Sequence, residues 1–251
     1  MIGDFVILLY NRNRDHPERE QFMLKLEPIA HIRSDFPTKF GIPRQSGLVG
    51  DTRASIIFTE PYRKPEALRE LESFSHIWLL WGFSEACRSS WSPTVRPPRL
   101  GGNVRVGVFA SRSPYRPNPI GLSSVKLDLI ELETPDGPVI HVLGADLMDR
   151  TPIYDIKPYI PGDCHPQAAA GFTRSLEDAP LQVADSEKYL EPLPPEDAAV
   201  IRSLLSYDPR PGYHHDPDRI YGMEYKNFEI KFSVRGSLLT VRGVCRRTQE
   251  Q

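Results

Sequence analysis

A mainly β protein with a smaller α+β appendix is the fold class this sequence predicts, and three observations predict it. Short apolar or alternating runs succeed one another from Phe22 to Asp149, separated by Gly, Pro and Asn. That is the pattern of many strands in one barrel or sandwich. After Pro161 the texture changes to a stretch rich in Ala, Pro and acid without sustained periodicity, which reads as a linker. Beyond it lie one helical and two alternating segments. The expected organisation is an N-terminal extension over 1–21, a β domain over 22–161, a linker over 162–195 and a small α+β domain over 196–251.

Each element has its own warrant. The strand candidates are "FMLKLEPIAHIRS", "ASIIFTE", "HIWLLWGFS", "RVGVFAS", "LSSVKLDLIELET" and "PVIHVLGADLMD". "KPEALRELESF" sets Ala67, Leu68, Leu71 and Phe74 at helical spacing behind Pro65, which predicts a short helix. Asp136-Gly137 supplies the turn of a hairpin. In the tail, acids precede Val200, Ile201, Leu204 and Leu205, and Asp208-Pro209 follows, the signature of a helix with a hard stop. "KNFEIKFSV" and "SLLTVRGV" alternate on either side of Arg235-Gly236, a second hairpin.

Composition narrows the function. The chain has 251 residues, 39% hydrophobic and 25% charged, ordinary for a globular protein. The longest apolar run, "FVILLY", is too short to span a bilayer and lacks a cleavage site behind it, so neither a membrane nor a signal peptide is expected. Three widely spaced cysteines, Cys87, Cys164 and Cys245, argue against a disulfide framework or zinc and fit a reducing cytoplasm. The glycines of "RLGGNVRVGV" lead into a strand rather than a helix, so a Rossmann or P-loop nucleotide site is disfavoured.

Charge is distributed unevenly. The net charge is −2, yet Ala86 to Leu127 contains no Asp or Glu and seven basic residues. Such a block points to an anionic partner, phosphate or nucleic acid, or to a solvated face whose arginines pair with distant carboxylates. Within it, Arg96, Arg99, Arg105, Arg112 and Arg116 supply guanidiniums on proline-stiffened loops with Tyr115 between the last two, a surface suited to RNA with an aromatic for stacking. Arg210 and Tyr213 form a second basic-aromatic turn.

Three further motifs stand out. Pro43-Arg44-Gln45 is a stiffened loop with polar donors, fit for a purine edge or a carboxylate. His76 sits in an apolar strand, as a satisfied core residue or a polar atom at a cofactor wall. Asp146 and Asp149 could be an acid–base pair, a metal site, or acceptors for ribose hydroxyls and an amine. Metal ranks lowest, because no third ligand is indicated.

Taken together, "PIAHIRSDFPTKFGIPRQSGLV", "FSHIWLLWGF", "WSPTVRPPRLGGNVRVGVFASRSPYRPNPIGLSSVKL" and "GADLMDRTPIYDIKPYIP" resemble the TsaA-like, or TrmO, family of tRNA methyltransferases. The resemblance runs from about Phe22 to about Asp163, and the helix–"DPRPGY"–hairpin tail resembles that family's C-terminal domain. It implies a single-sheet, non-Rossmann β-barrel, S-adenosylmethionine as cofactor, a homodimer, and methylation of N6 of threonylcarbamoyladenosine beside the anticodon. By motif it carries cofactor contacts onto Pro43, Arg44, Gln45, His76, Ile77, Arg112, Leu122, Asp146, Leu147, Met148 and Asp149. Asp149 and Tyr115 are then the catalytic candidates, with Arg96, Arg99, Arg105, Arg116, Arg210 and Tyr213 facing RNA. One departure stands out: Arg150 occupies a turn position where many members carry glycine. The competing functions are a non-catalytic RNA-binding module and an enzyme with another acceptor on the same barrel.

Overall fold

The computed structural model describes residues 5–8, 23–85, 91–176, 180–210, 214 and 216–247. Two short strands, β1 (Phe5–Leu8) and β2 (Met23–Leu26), pair antiparallel ahead of the main fold. Next come β3 (Ala30–Ser34), β4 (Arg53–Phe58) and β5 (His76–Gly82). A long excursion then carries the small ladder of β6 (Thr94–Val95) and β7 (Val106–Gly107). β8 (Ile120–Glu131), β9 (Val139–Leu143) and β10 (Pro152–Pro158) complete the set.

The choice between barrel and sandwich is settled by β10, which pairs with β3 on one side and β5 on the other. The sheet closes in the order β10-β3-β4-β9-β8-β5, with every neighbouring pair antiparallel. Alternate residues fill it: Ala30 and Ile32, Ile56 and Phe58, Ile77 and Leu79, Ile140 and Val142 are all buried, as a period of two requires. Register shifts at 153–155 of β10 and 127–129 of β8 bend those strands into the closure.

Some expected elements differ. "KPEALRELESF" forms two 3₁₀ turns, Pro65–Leu68 and Leu71–Ser73, not an α-helix. Glu70 between them has φ of 67° and Leu68 is their single buried residue, so the segment lacks the apolar face that would offset helix nucleation. "RVGVFAS" pairs over Val106–Gly107 only and then turns into a 3₁₀ stretch, Val108–Ala110. "FMLKLEPIAHIRS" is two strands separated at residues 27–29, where Pro28 cannot donate to a ladder.

In the C-terminal unit, β11 (Gln182–Ala184) precedes α1 (Pro195–Ser206), followed by β12 (Tyr221–Tyr225), β13 (Phe228–Arg235) and β14 (Leu238–Arg246). The sheet order is β11-β14-β13-β12. β11 lies inside the stretch expected to be linker and pairs parallel with β14. Val200, Ile201, Leu204 and Leu205 form the buried stripe of α1.

The barrel loop between β3 and β4 belongs to both units. Its Phe36 and Val49 are buried in the apolar core of the C-terminal unit, and Phe40 and Ile42 pack against that core. This shared loop contains Pro43-Arg44-Gln45.

Candidate functional site

The site grows from the end of β9. Gly144, at φ of +75°, turns the chain so closely past Gly47 that a Cβ would lie 3.2 Å from the Gly47 Cα. The Gly47 N–H donates to the Gly144 carbonyl at 2.9 Å, and the Gly144 N–H to Thr52 at 2.8 Å. These bonds fasten the loop that follows Gln45 to the segment carrying Asp146–Asp149.

Asp146 sits in a relay. The Ser123 hydroxyl donates to Asp146 Oδ1 at 2.6 Å, and the Trp81 indole N–H donates to Ser123 Oγ at 3.0 Å. Trp81 can lie there because its cross-strand partner is Gly121, where a Cβ would stand 2.2 Å from the indole. Burial pushes the Asp146 carboxyl above the usual carboxylate range, opposed by Ser123, by the backbone N–H groups of Asp146 and Ser46, and by the Arg112 charge. Arg112 therefore has a carboxylate within electrostatic reach, thirty-four positions away in sequence (146 − 112).

Asp149 is held by backbone. Ser34 N donates to its Oδ1 at 3.1 Å, and its own N–H donates to the Phe36 carbonyl at 2.9 Å. The Arg150 guanidinium is 3.7 Å from Oδ2. Arg150 itself takes φ of 64°, so the turn expected of glycine persists with arginine in it, at a backbone cost of about 1–2 kcal/mol. Leu147 is packed into the barrel core and is 1% exposed, and its carbonyl accepts from Ser34 Oγ at 2.9 Å. Met148 is half-buried.

The arginine loop is largely self-built. Ser111 Oγ donates to Val108 O at 2.8 Å, Ser113 N to Ser111 Oγ at 3.3 Å, and Tyr115 N to Ser113 Oγ at 3.2 Å. Arg116 Nη1 donates to Ser111 O at 3.0 Å and Ser113 O at 3.4 Å. Its guanidinium thus closes the loop, while Arg112 stays exposed and Tyr115 half-buried.

The other expected residues are dispersed. Arg44 Nη2 donates to the Asp208 carbonyl of the C-terminal unit, Pro43 is buried and Gln45 exposed. Ile77 is fully buried in the barrel core. His76 pairs with Lys126 at the far end of β5 from Trp81, about 16 Å along the strand at the usual rise per residue. Leu122 is 57% exposed, on the face opposite Ser123. Arg96 is exposed, and Arg105 Nη1 donates to Thr94 Oγ1 at 2.7 Å. Arg99 lies in the 3₁₀ turn Pro98–Leu100. Arg210 makes a two-point ion pair, Nε to Asp208 Oδ1 and Nη2 to Oδ2, each 2.8 Å, with its side chain 12% exposed. Tyr213 lies outside the described residues. The same excursion exposes an aromatic pair, Trp91 and Phe109, with ring centroids 6.3 Å apart.

Sequence reasoning missed Ser123, Trp81 and the Ser46 N–H. The available signal was Gly121-Leu122-Ser123, a small residue every second place, but its meaning depends on the register with β5. Among the described residues no three His, Cys, Asp or Glu side chains gather as a metal site, and no helix is long and apolar enough to cross a membrane.

Comparison with known proteins supplies the last observations. A family model described as the tRNA-methyltransferase O N-terminal domain matches residues 31–163, and one described as the TrmO C-terminal domain matches 177–247. The tRNA (adenine(37)-N6)-methyltransferase of Escherichia coli is 40% identical over 219 residues, covering 84% of this chain and 93% of that protein. A relative from Pseudomonas aeruginosa, named for S-adenosylmethionine-dependent methyl transfer, is 38% identical over 216 residues, or 82% of this chain and 90% of its own. The crystal structure of TrmO from Pseudomonas aeruginosa is similar with a TM-score of 0.71 at 32% identity, covering 91% of this chain and 100% of the other.

Proposed function

The chain belongs to the TrmO family of tRNA methyltransferases, and on that footing we propose that it methylates N6 of adenosine 37 in tRNA with S-adenosylmethionine as donor, in the cytoplasm. Its acceptor in this reading is adenosine already carrying the threonylcarbamoyl group. The observation that carries the proposal is the convergence of the 43–47 loop, Arg112, Ser123 and the Asp146–Asp149 segment at one end of the barrel.

The donor set fits the cofactor. A half-buried carboxylate within electrostatic reach of an exposed guanidinium matches a ligand with an ammonium, a carboxylate and ribose hydroxyls. Arg112 would take the carboxylate end. Asp146, fixed by Ser123, would accept from hydroxyls or the amine, and the Arg44–Gly47 loop would cover the adenine. Bound there, S-adenosylmethionine supplies an electrophilic methyl group on a sulfonium.

The chain's own work is positioning and proton removal. The acceptor nitrogen of a threonylcarbamoyl group is ureido-like, with a delocalised lone pair, so it gains from a base that takes its proton as the N–C bond forms. Asp149 would take that role, supported by the hydrogen bond that Ser34 N donates to one oxygen and by a side chain about one-third exposed. Tyr115 is the alternative acceptor or a stacking surface for the base. Arg96, Arg99 and Arg105, all in the acid-free excursion, would meet the tRNA backbone.

A homodimer completes this reading. His76 lies at the other end of β5 from the Asp146 group, so a site using both takes His76 from a second copy. The exposed Trp91 and Phe109 provide apolar surface for that contact.

The test is incubation of the purified chain with methyl-labelled S-adenosylmethionine and two tRNA pools, one with threonylcarbamoyladenosine and one without. Label in the modified pool alone, on the nucleoside beside the anticodon, is expected. Equal labelling of both pools would overturn the acceptor, and no labelling of either would overturn the reaction.

A further inference from the structure

The loop that carries Pro43-Arg44-Gln45 is only half a barrel loop. Phe36 and Val49 lie in the core of the C-terminal unit, and Phe36 meets Tyr225 edge-on with ring centroids 6.1 Å apart. Gly41 runs so close to β12 that a Cβ would fall 2.4 Å from Met223 Cγ. Polar groups tie the same seam. Lys226 N donates to the Asp35 carbonyl at 2.8 Å, and Tyr225 Oη donates to Asp35 Oδ2 at 3.3 Å. The Lys226 ammonium lies 2.6 Å from the buried Asp197 Oδ1 and 3.8 Å from Asp35 Oδ2.

From Asp35 the connection to the site is short. Phe36 O accepts the Asp149 N–H at 2.9 Å, and Ser34 N donates to the Asp149 carboxylate at 3.1 Å. Ser34 Oγ also donates to Leu147 O at 2.9 Å. A displacement of Asp35 therefore moves both partners of Asp149 together. We propose that the C-terminal unit is the positioning element of the methyl-donor site, and that it acts through Lys226, a positioning residue that touches neither substrate. This rests on the reading of the 43–47 and 146–149 segments as the donor site. Burial pushes the Asp35 carboxyl up while Lys226 and Tyr225 pull it down, with Asp197 and Asp149 facing it as like charges, so the seam loses its main counter-charge when Lys226 goes.

The experiment uses the full chain. Lys226→Met removes the ammonium, Lys226→Arg restores a cation, and Asp35→Asn cuts the seam while leaving the Lys226–Asp197 pair in place. Lys188→Met is the control, since Lys188 has nearly the same left-handed backbone, φ of 58° against 51°, and an exposed ion pair with Glu191 in the same unit. Equilibrium binding of S-adenosylmethionine, amide exchange of residues 36–49 without ligand, and methylation kinetics are measured. Lys226→Met and Asp35→Asn should weaken donor binding roughly three- to thirtyfold, the usual range for residues that act on a site without contacting its ligand. Exchange in 36–49 should quicken, KM for the donor should rise, and kcat should fall as well, because the same seam holds Asp149. Lys226→Arg should return KM most of the way, and Lys188→Met should change nothing. Should Lys226→Met lose the fold of its own unit by orphaning Asp197, Asp35→Asn decides alone. Wild-type binding and exchange in Asp35→Asn would overturn this inference and leave the site reading standing. A wild-type chain that binds no donor would overturn both.

Discussion

Ser123→Ala removes one buried hydroxyl, and the structure says where the loss should appear. Ser123 is 3% exposed, donates to Asp146 Oδ1 at 2.6 Å and accepts from the Trp81 indole at 3.0 Å. A hydrogen bond to a charged group contributes about 1.5–3 kcal/mol and a neutral one about 0.5–1.5. The folded-state pKa of Asp146 lies above the ordinary value because of burial, so its ionisation weakens the fold progressively as pH rises from the ordinary carboxylate range through that raised pKa, and the weakening vanishes only as pH falls below the ordinary value. Deleting the Ser123 donor drives the pKa further up. The variant should be less stable than wild type by about 2 kcal/mol near pH 8, falling by about 1 kcal/mol as Asp146 protonates towards pH 4. The orphaned Trp81 N–H adds a cost that does not vary with pH, so the pH-dependent part belongs to Asp146. Urea unfolding followed by tryptophan emission suits the measurement, because all three tryptophans, Trp78, Trp81 and Trp91, lie in the N-terminal half of the chain. A difference that is flat across that range, or below about 0.5 kcal/mol throughout, would refute the hydroxyl's role in holding the carboxylate.

Four more expectations follow from the same geometry. Arg150→Gly should stabilise the barrel by about 0.5–1 kcal/mol, since glycine adopts the observed φ of 64° freely and gives back part of that gain as unfolded-state entropy; lower stability in urea would mean that the arginine side chain contributes more than its 3.7 Å contact with Asp149 suggests. Gly121→Ala should push Trp81 off Ser123, because the new Cβ would lie 2.2 Å from the indole; a cost of about 1–3 kcal/mol is expected, together with a shift in tryptophan emission whose absence would show that the ring had not moved. Arg96→Ala and Arg105→Ala should each flatten the salt dependence of tRNA binding by about 0.7–0.9 in log–log slope. Arg210→Ala should leave that slope unchanged and lower the stability of the C-terminal unit, its guanidinium being committed to Asp208; a flattened slope in Arg210→Ala would return it to the RNA surface.

Five of the six barrel strands were legible as short apolar or alternating runs, as in "HIWLLWG" over His76–Gly82, whereas β10, which closes the barrel and is bounded by Pro152 and Pro158, was not among the strand candidates. The C-terminal helix was legible because its apolar stripe stands between an acidic start and Asp208-Pro209. The misses share a cause. β11 is three residues long and exists by pairing with β14, and "KPEALRELESF" has helical spacing but is broken at Glu70, φ 67°, and buries only Leu68 in the barrel core. In both places local pattern was weaker than tertiary context.

The candidate site divides in the same way. Sequence alone supplied the acid-free run of arginines, the stiff Pro43-Arg44-Gln45 loop and the two aspartates after β9, because residue type and local turn chemistry are properties of neighbours along the chain. Tertiary structure decided which of those charges are already spent. Arg44 meets a carbonyl 164 positions away, and Asp149 is oriented by an amide 115 positions away. Arg116 folds back on its own loop, Arg112 reaches the field of a half-buried carboxylate, and Trp81 finds its seat only through the register of β5 on β8. Hydrogen bonds and desolvation act over a few ångströms of space, and only the closed sheet determines which residues those ångströms contain.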